Sequence, residues 1–172
     1  MENFIAELIN TQFVRNLNSL KVMMKKAEET AKKNNFKVEK ILDVKLAPNM
    51  FNLTKQIQVT TDIAKGAAAR LSLSENPSFP DSEKTWSELV ARIDKTITYL
   101  SKFKASDFTK YQEARVSFHW NPEHELHGHD YFISFAILNF YFHLTTAYDL
   151  LRSNGVPLGK GDYLGEINWK NK

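Results

Sequence analysis

The segment Tyr131–Arg152, YFISFAILNFYFHLTTAYDLLR, constrains the fold most, because it is apolar over most of its length. The Ser-Asn-Gly-Val-Pro sequence that follows at 153–157 is typical of a helix end. A helix here places His143 on one face with five other residues: Phe132, Ala136, Asn139, Ala147 and Leu150. Asn139 and His143 need partners on this apolar face, because an unpaired buried amide or imidazole costs about 1–3 kcal/mol. This pair is therefore the strongest candidate for a functional site.

Three earlier segments also have helical periodicity. The first runs from about Phe4 to Lys33, with apolar residues at alternating spacings of four and three: Ile9, Phe13, Leu17, Leu20, Met24, Ala27 and Ala31. The second extends from Pro48 and Asn49 to about Leu73. The third follows a break at 76–80, with Asp81 and Ser82 as candidate N-caps. Its apolar stripe comprises Trp86, Leu89, Ile93, Ile97 and Leu100.

The connections between these helices are long. Residues 34–48 are predicted to contain a short helix near 38–44, whereas residues 105–130 lack helical periodicity. Val116, Phe118 and Trp120 alternate with polar residues, which indicates a short strand or an extended segment. We predict an all-α, up-and-down four-helix bundle with long loops, a short strand pair before the fourth helix, and a single domain over residues 1–172. At least one such loop is long enough to cross over the bundle or cover a pocket.

The composition argues against several classes of function. The chain has no Cys, which excludes disulfides, thiolate nucleophiles and Cys metal ligands. A formal net charge of +3 is too small to favour nucleic acid or an anionic membrane as a partner. The N-terminus lacks the apolar core of a signal peptide. Four polar residues interrupt the apolar C-terminal segment, which disfavours a transmembrane helix: Asn139, His143, Asp149 and Arg152. We expect a soluble, cytoplasmic protein.

Two polar residues interrupt the apolar face of the second helix. Gln56 and Thr60 lie among Leu53, Ile57, Ile63, Ala64, Ala67 and Leu71, whereas Gln58, Asp62 and Lys65 form a polar flank on the opposite side. In one interpretation, Gln56 is a buried amide that bonds a neighbouring helix. In the other, Gln56 faces Asn139 and His143 across the core and lines a polar pocket.

A metal ion in this pocket is not favoured. Asn139 and His143 have the spacing of bundle metal ligands, but an amide is a poor ligand beside imidazole or carboxylate. Asp62 could contribute a carboxylate only if its helix were rotated. A second candidate is the group of loop histidines, His119, His124, His127 and His129. Their spacing matches no standard zinc signature, so chance clustering is the preferred interpretation.

The apolar surface of the fourth helix predicts a homodimer. Phe135, Leu138 and Phe142 occupy one flank, and the other carries Phe140, Leu144, Tyr148 and Leu151. One helix of a four-helix monomer rarely buries its whole circumference, so one flank pairs with a second copy or lies under the long loops.

Five stretches together resemble a known family. They are LAPNMF at 46–51, Q-x-Q at 56–58, D-x-AKGAAARL at 62–71, NFYFH-x-TTAY at 139–148 and LR-x-NGVPLGK-x-DYLG at 151–165. They resemble the domain of unknown function numbered nineteen-ninety-three, a DinB/YfiT-like family. The resemblance implies a DinB-like four-helix bundle, usually dimeric, in a superfamily of metalloenzymes that includes thiol-dependent transferases using a divalent metal.

In that superfamily the metal is held by one histidine on the second helix and an H-x-x-x-H pair on the fourth. By resemblance, His143 matches the second member of the pair, Asn139 replaces the first, and Gln56 is the best match on the second helix. Two of the three ligands are thus absent, so the metal chemistry does not transfer.

Three functions follow from these observations. The leading hypothesis is a core pocket that binds a small ligand through Gln56, Thr60, Asn139 and His143, as a degenerate metal site in which His143 acts as an acid or base. The second is a metal-dependent transferase or hydrolase that uses His143 with Asp62 or with the loop histidines. The third is a dimeric interaction module whose buried polar groups only fix the helix register.

Overall fold

The computed structural model describes residues 2–170, with side chains described from Phe4 onward. The first long helix consists of α1 (Glu2–Leu8), a π-helical segment (Ile9–Val14) and α2 (Arg15–Lys33). Every residue of its predicted apolar seam is buried, which confirms the periodicity. A short 3-10 helix, Val38–Ile41, follows in the first connection.

The second long helix, α3, spans Leu53–Leu71. It begins later than predicted, because the side chain of Asn52 caps it by accepting a hydrogen bond from the Lys55 N–H at 2.9 Å. Residues 49–51 are therefore not helical, and they lie across the end of the bundle beside α6. This difference of one turn decides which residues line the site described below.

The third long helix, α4, spans Trp86–Leu100. Its N-cap is Thr85, which forms a capping box with Glu88. The prediction that Asp81 and Ser82 cap this helix was wrong. The carboxylate of Asp81 instead lies 3.0 Å from Arg92, because the segment 74–83 folds back along α3 and α4.

The fourth long helix begins as α5 (Gly128–Asp130), continues through a second π-helical segment (Tyr131–Ala136) and extends as α6 (Ile137–Ser153). Gly155, with φ of 87°, ends it, and the Val156 N–H donates to the Leu151 carbonyl oxygen. The predicted helix stop is thus confirmed. A last helix, α7 (Lys160–Leu164), packs on α2.

The predicted strand pair before the fourth helix is present. Strand β1 (Arg115–Phe118) pairs antiparallel with β2 (Asn121–His127), with Val116 opposite Leu126. Trp120, expected within the strand, lies in the turn and is exposed.

The four long helices form the predicted all-α bundle, with α3 packed against both α6 and α4. Helix α3 is buried on nearly all sides, since even the polar flank that contains Gln58 and Lys65 is covered by the segment 74–83. Among residues 2–170, none of the helices combines the length and the apolar character that a membrane crossing requires.

Candidate functional site

His143 and Gln56 meet between α6 and α3. The imidazole is 8% exposed, and its Nδ1 lies 2.6 Å from Oε1 of Gln56. Gln56 is also buried, and its Nε2 donates to the Phe51 carbonyl oxygen at 3.2 Å. Gln56 is therefore a buried amide bonded to a neighbouring helix, as in the first interpretation, and it faces His143 but not Asn139, which meets only part of the second.

This hydrogen-bond chain assigns the protons on the imidazole ring. Because the Gln56 amide nitrogen donates to a carbonyl, its oxygen points at His143 and can only accept. Nδ1 of His143 must then carry the proton, which leaves a lone pair on Nε2. Nε2 has no hydrogen-bond partner among the described residues and retains access to the adjoining cleft.

The charge state of His143 follows from its burial. Desolvation lowers the pKa of His143 from 6.5 to about 4, because a charged imidazolium is unfavourable in an apolar environment. The ring is therefore neutral at pH 7, and its Nε2 can accept a hydrogen bond. The expectation of an acid–base group near neutrality, drawn from the unperturbed pKa of histidine, does not hold here.

A cleft of about 200 Å³ opens beside the imidazole. The ring of Phe51 is stacked 6.3 Å from that of His143, and the ring of Phe142 meets it edge-on at 5.1 Å. Asn49, Met50 and Gln56 complete the lining. Sequence reasoning missed the contribution of 49–51, although the Pro-Asn break before α3 and the predicted covering loop were signals that pointed to it.

The other two predicted ligand-binding residues do not line this cleft. Thr60 is buried one turn along α3, where its hydroxyl donates to the Gln56 carbonyl oxygen at 2.7 Å. Asn139 lies one turn before His143 on α6, half-buried, and its side chain makes no hydrogen bond to the described residues. A single turn of about 5.4 Å is enough to place it beyond the cleft.

The residues around His143 do not fit a metal. Within residues 2–170, no three His, Asp or Glu side chains are placed to share an ion. The loop histidines are all exposed, and His124 bonds Asn121 instead. Asp62 lies 2.9 Å from Arg92 on the opposite side of α3, because that flank faces α4. The described residues therefore do not bring His143 together with Asp62 or with the loop histidines in a ligand set.

Sequence reasoning also missed a second buried polar group, centred on Arg92 of α4. Its Nε donates to the Thr61 hydroxyl, and its Nη1 donates to Glu83 and to the Pro80 carbonyl oxygen, each at 2.8–2.9 Å. Nη2 lies between Asp62 and Asp81. Burial alone would raise the pKa of Glu83, but hydrogen bonds from Arg92 and Gln58 outweigh it and lower that pKa. These contacts fasten the segment 74–83 to the bundle.

The comparisons with known proteins agree with this architecture. The bundle is of the DinB type: it superimposes with a TM-score of 0.95 on the crystal structure of a DinB family member protein from Shewanella denitrificans. That protein is 37% identical, and the match covers 99% of this chain and 97% of the other. Residues 7–164 match the family described as Domain of unknown function (DUF1993), and the chain belongs to that family. No curated protein matches the sequence.

Proposed function

We propose that the cleft beside His143 binds a small ligand that donates a hydrogen bond to Nε2 of the imidazole. The observation that carries this proposal is the chain from Phe51 through Gln56 to His143, which fixes the proton on Nδ1 and leaves the lone pair of Nε2 toward the cleft, in a ring that burial keeps neutral. Polar atoms in a protein interior almost always have a hydrogen-bond partner, and Nε2 of His143 can obtain one only from a molecule in the cleft. Here one nitrogen is fixed and the other is free to accept.

The walls of the cleft define the ligand further. Phe51 and Phe142 present apolar rings on two sides of the imidazole, and no charged side chain lines the cleft. The volume of about 200 Å³ is enough for one ring, since an apolar cavity of about 150 Å³ holds benzene. The ligand class is therefore a neutral molecule with one hydroxyl or N–H donor and a planar or short apolar body.

Phenol is a suitable probe, because its ring fits between two aromatic walls and its hydroxyl can donate to Nε2. We expect a phenol titration to shift the Nε2 resonance of His143 in ¹⁵N NMR spectra, with saturation in the millimolar range. Toluene tests the role of the donor, and His129→Asn, which alters an exposed loop histidine, is the matched control for His143→Asn. An Nε2 signal that responds to neither compound, or equally to both, contradicts the proposal.

The same spectra separate the two alternative functions. A metal-dependent enzyme at this site requires Zn²⁺ or Ni²⁺ to perturb Nε2 at equimolar concentration, which the absence of further ligands nearby argues against. If the protein is a structural interaction module, neither the metal ions nor phenol should shift the Nε2 resonance of His143.

We also infer that one flank of α6 pairs with a second copy of the chain. Leu138 and Phe142 are 63% and 56% exposed, and Phe51 beside them is half exposed, whereas Phe140, Leu144 and Leu151 on the other flank are buried. An apolar patch of this kind favours a protein interface. Light scattering at micromolar concentration should give a dimer that Leu138→Glu dissociates. A monomeric wild-type mass rules the dimer out.

A further inference from the structure

A second cleft lies between α2 and the C-terminal segment. Its volume is about 550 Å³, within the range of small-molecule sites. Val14, Arg15, Ser19 and Val22 line it from the first long helix, and Gly161 and Gly165 line it from the C-terminal segment. Neither the family resemblance nor the proposed function assigns a role to it.

Arg15 in this cleft has no partner among residues 4–170. It forms no ion pair within 4.0 Å, and none of its side-chain nitrogens has a hydrogen-bond acceptor there. Its Nε is fully buried, where a donor without an acceptor is unfavourable, and its Nη1 and Nη2 are the nitrogens that a molecule in the cleft can reach. Arg92, by contrast, has carboxylate, carbonyl and hydroxyl oxygens around its whole guanidinium group. Arg15 thus lacks the acceptor that its position requires.

The wall opposite Arg15 is built by close backbone contact. Gly165 has φ of 66°, and a Cβ on it would lie 2.1 Å from Oγ of Ser19. Only glycine therefore lets the C-terminal segment lie directly on α2. The ion pair between Lys26 and Asp162, at 2.5 Å, holds α7 against the same helix. The cleft is thus bounded by a fixed wall.

The charges around the cleft select the ligand. Lys26 neutralises Asp162, and Glu166 is exposed at the rim, so the guanidinium of Arg15 is the cation inside. A single arginine binds a carboxylate through two parallel hydrogen bonds. A dianionic phosphate would bring a second negative charge next to Glu166, with only Arg15 to balance it. Val14 and Val22 offer apolar contact beside the charge.

We propose that this cleft binds a small monocarboxylate with an apolar body, whose carboxylate pairs with Arg15 and whose body lies against Val14 and Val22.

Octanoate is the probe for this site, and the Nε–H resonance of Arg15 in ¹H–¹⁵N spectra is the readout. We expect octanoate to shift that resonance saturably, whereas octylammonium and inorganic phosphate at equal concentration do not. Arg15→Met should weaken octanoate binding about tenfold or more, because a hydrogen bond to a charged group contributes about 1.5–3 kcal/mol. Arg152→Met, which removes an exposed arginine from the end of α6, should leave binding unchanged.

Gly165→Ala tests the wall without altering Arg15. The added Cβ should displace the C-terminal segment from Ser19 and weaken octanoate binding, while the helical circular dichroism spectrum stays unchanged. Phosphate that shifts Arg15 as strongly as octanoate overturns the monocarboxylate assignment. If none of octanoate, octylammonium and phosphate shifts the Arg15 resonance but Glu166→Gln does, Glu166 is the partner of Arg15. That result would overturn the proposed site.

Discussion

Two buried polar groups on opposite sides of α3 differ in how completely they are paired. On the α4 side, Arg92 is bonded through Nε, Nη1 and Nη2 to groups from two segments of the chain, α3 and residues 74–83. On the α6 side, His143 is bonded through Nδ1 alone, and its Nε2 meets a cleft. Both groups are nearly inaccessible to solvent, so burial by itself does not distinguish them.

This difference in pairing points to different roles for Arg92 and His143. A charge withdrawn from water needs several partners to offset the lost hydration, and the Arg92 group supplies them by fastening the segment 74–83. A neutral imidazole has a smaller desolvation penalty, so one of its nitrogens can remain available. We infer that the Arg92 group serves stability and that His143 serves binding.

The largest effect is expected from Arg92→Met. The substitution leaves the partly buried carboxylate of Glu83 without its cationic partner and releases the segment 74–83. The free energy of unfolding, measured by urea denaturation, should therefore fall by about 3–4 kcal/mol. Arg152→Met, at an exposed site, should have almost no effect. If Arg92→Met lowered the free energy of unfolding as little as Arg152→Met, the contacts of Arg92 would not stabilise the fold.

The next largest effect on stability is the pH dependence of the free energy of unfolding that His143 causes. Its pKa is near 6.5 in the unfolded chain and about 4 in the folded protein, so below pH 6.5 the unfolded state binds more protons. Stability should therefore fall by about 2 kcal/mol between pH 7 and pH 5, given about 1.4 kcal/mol per pKa unit.

His143→Phe isolates this contribution, because phenylalanine does not titrate. The difference between the wild-type and variant profiles should show the loss, and His129→Asn should reproduce the wild-type profile. Parallel wild-type and His143→Phe profiles between pH 7 and pH 5 would mean that the pKa of His143 is not lowered.

Gln56→Ala should have an intermediate effect. It leaves the Nδ1 proton of His143 without an acceptor, which should reduce the free energy of unfolding by about 1–2 kcal/mol. Gln56→Glu provides the complementary test: a carboxylate beside the ring should raise the pKa of His143, measurable by NMR titration. An unchanged pKa in that variant would argue against the contact between these two side chains.

The smallest effect is expected from Asn139→Ala. Because this half-buried amide makes no hydrogen bond to the described residues, its loss should change stability by less than about 0.5 kcal/mol. Asn16→Ala is the matched comparison, since Asn16 is buried and donates to the Tyr141 hydroxyl at 3.0 Å. If Asn139 proved the costlier of the two, it would have a partner that the structure does not contain.

Part of the site could be predicted from sequence, because it depends on helical periodicity. Gln56 and His143 interrupt apolar faces, and both faces point to the core, so their meeting was an accessible hypothesis. Phe51 and Met50 were not assigned, because a connecting segment has no periodicity to orient its side chains. Asp81 was assigned to a cap because its attraction to Arg92 depends on a loop folding back across two helices.

Local sequence patterns were enough to predict the four long helices, the buried seam of the first, the helix stop at Gly155 and the inward orientation of His143. These follow from spacings along a single segment, which fix the direction of each side chain about its own helix axis. Three further features depend on how the segments pack: Nε2 rather than Nδ1 of His143 meets the cleft, Asn139 lies beyond the cleft, and all three guanidinium nitrogens of Arg92 have partners. Hydrogen-bond partners and desolvation depend on which segments pack together, and that information is not local to any one of them.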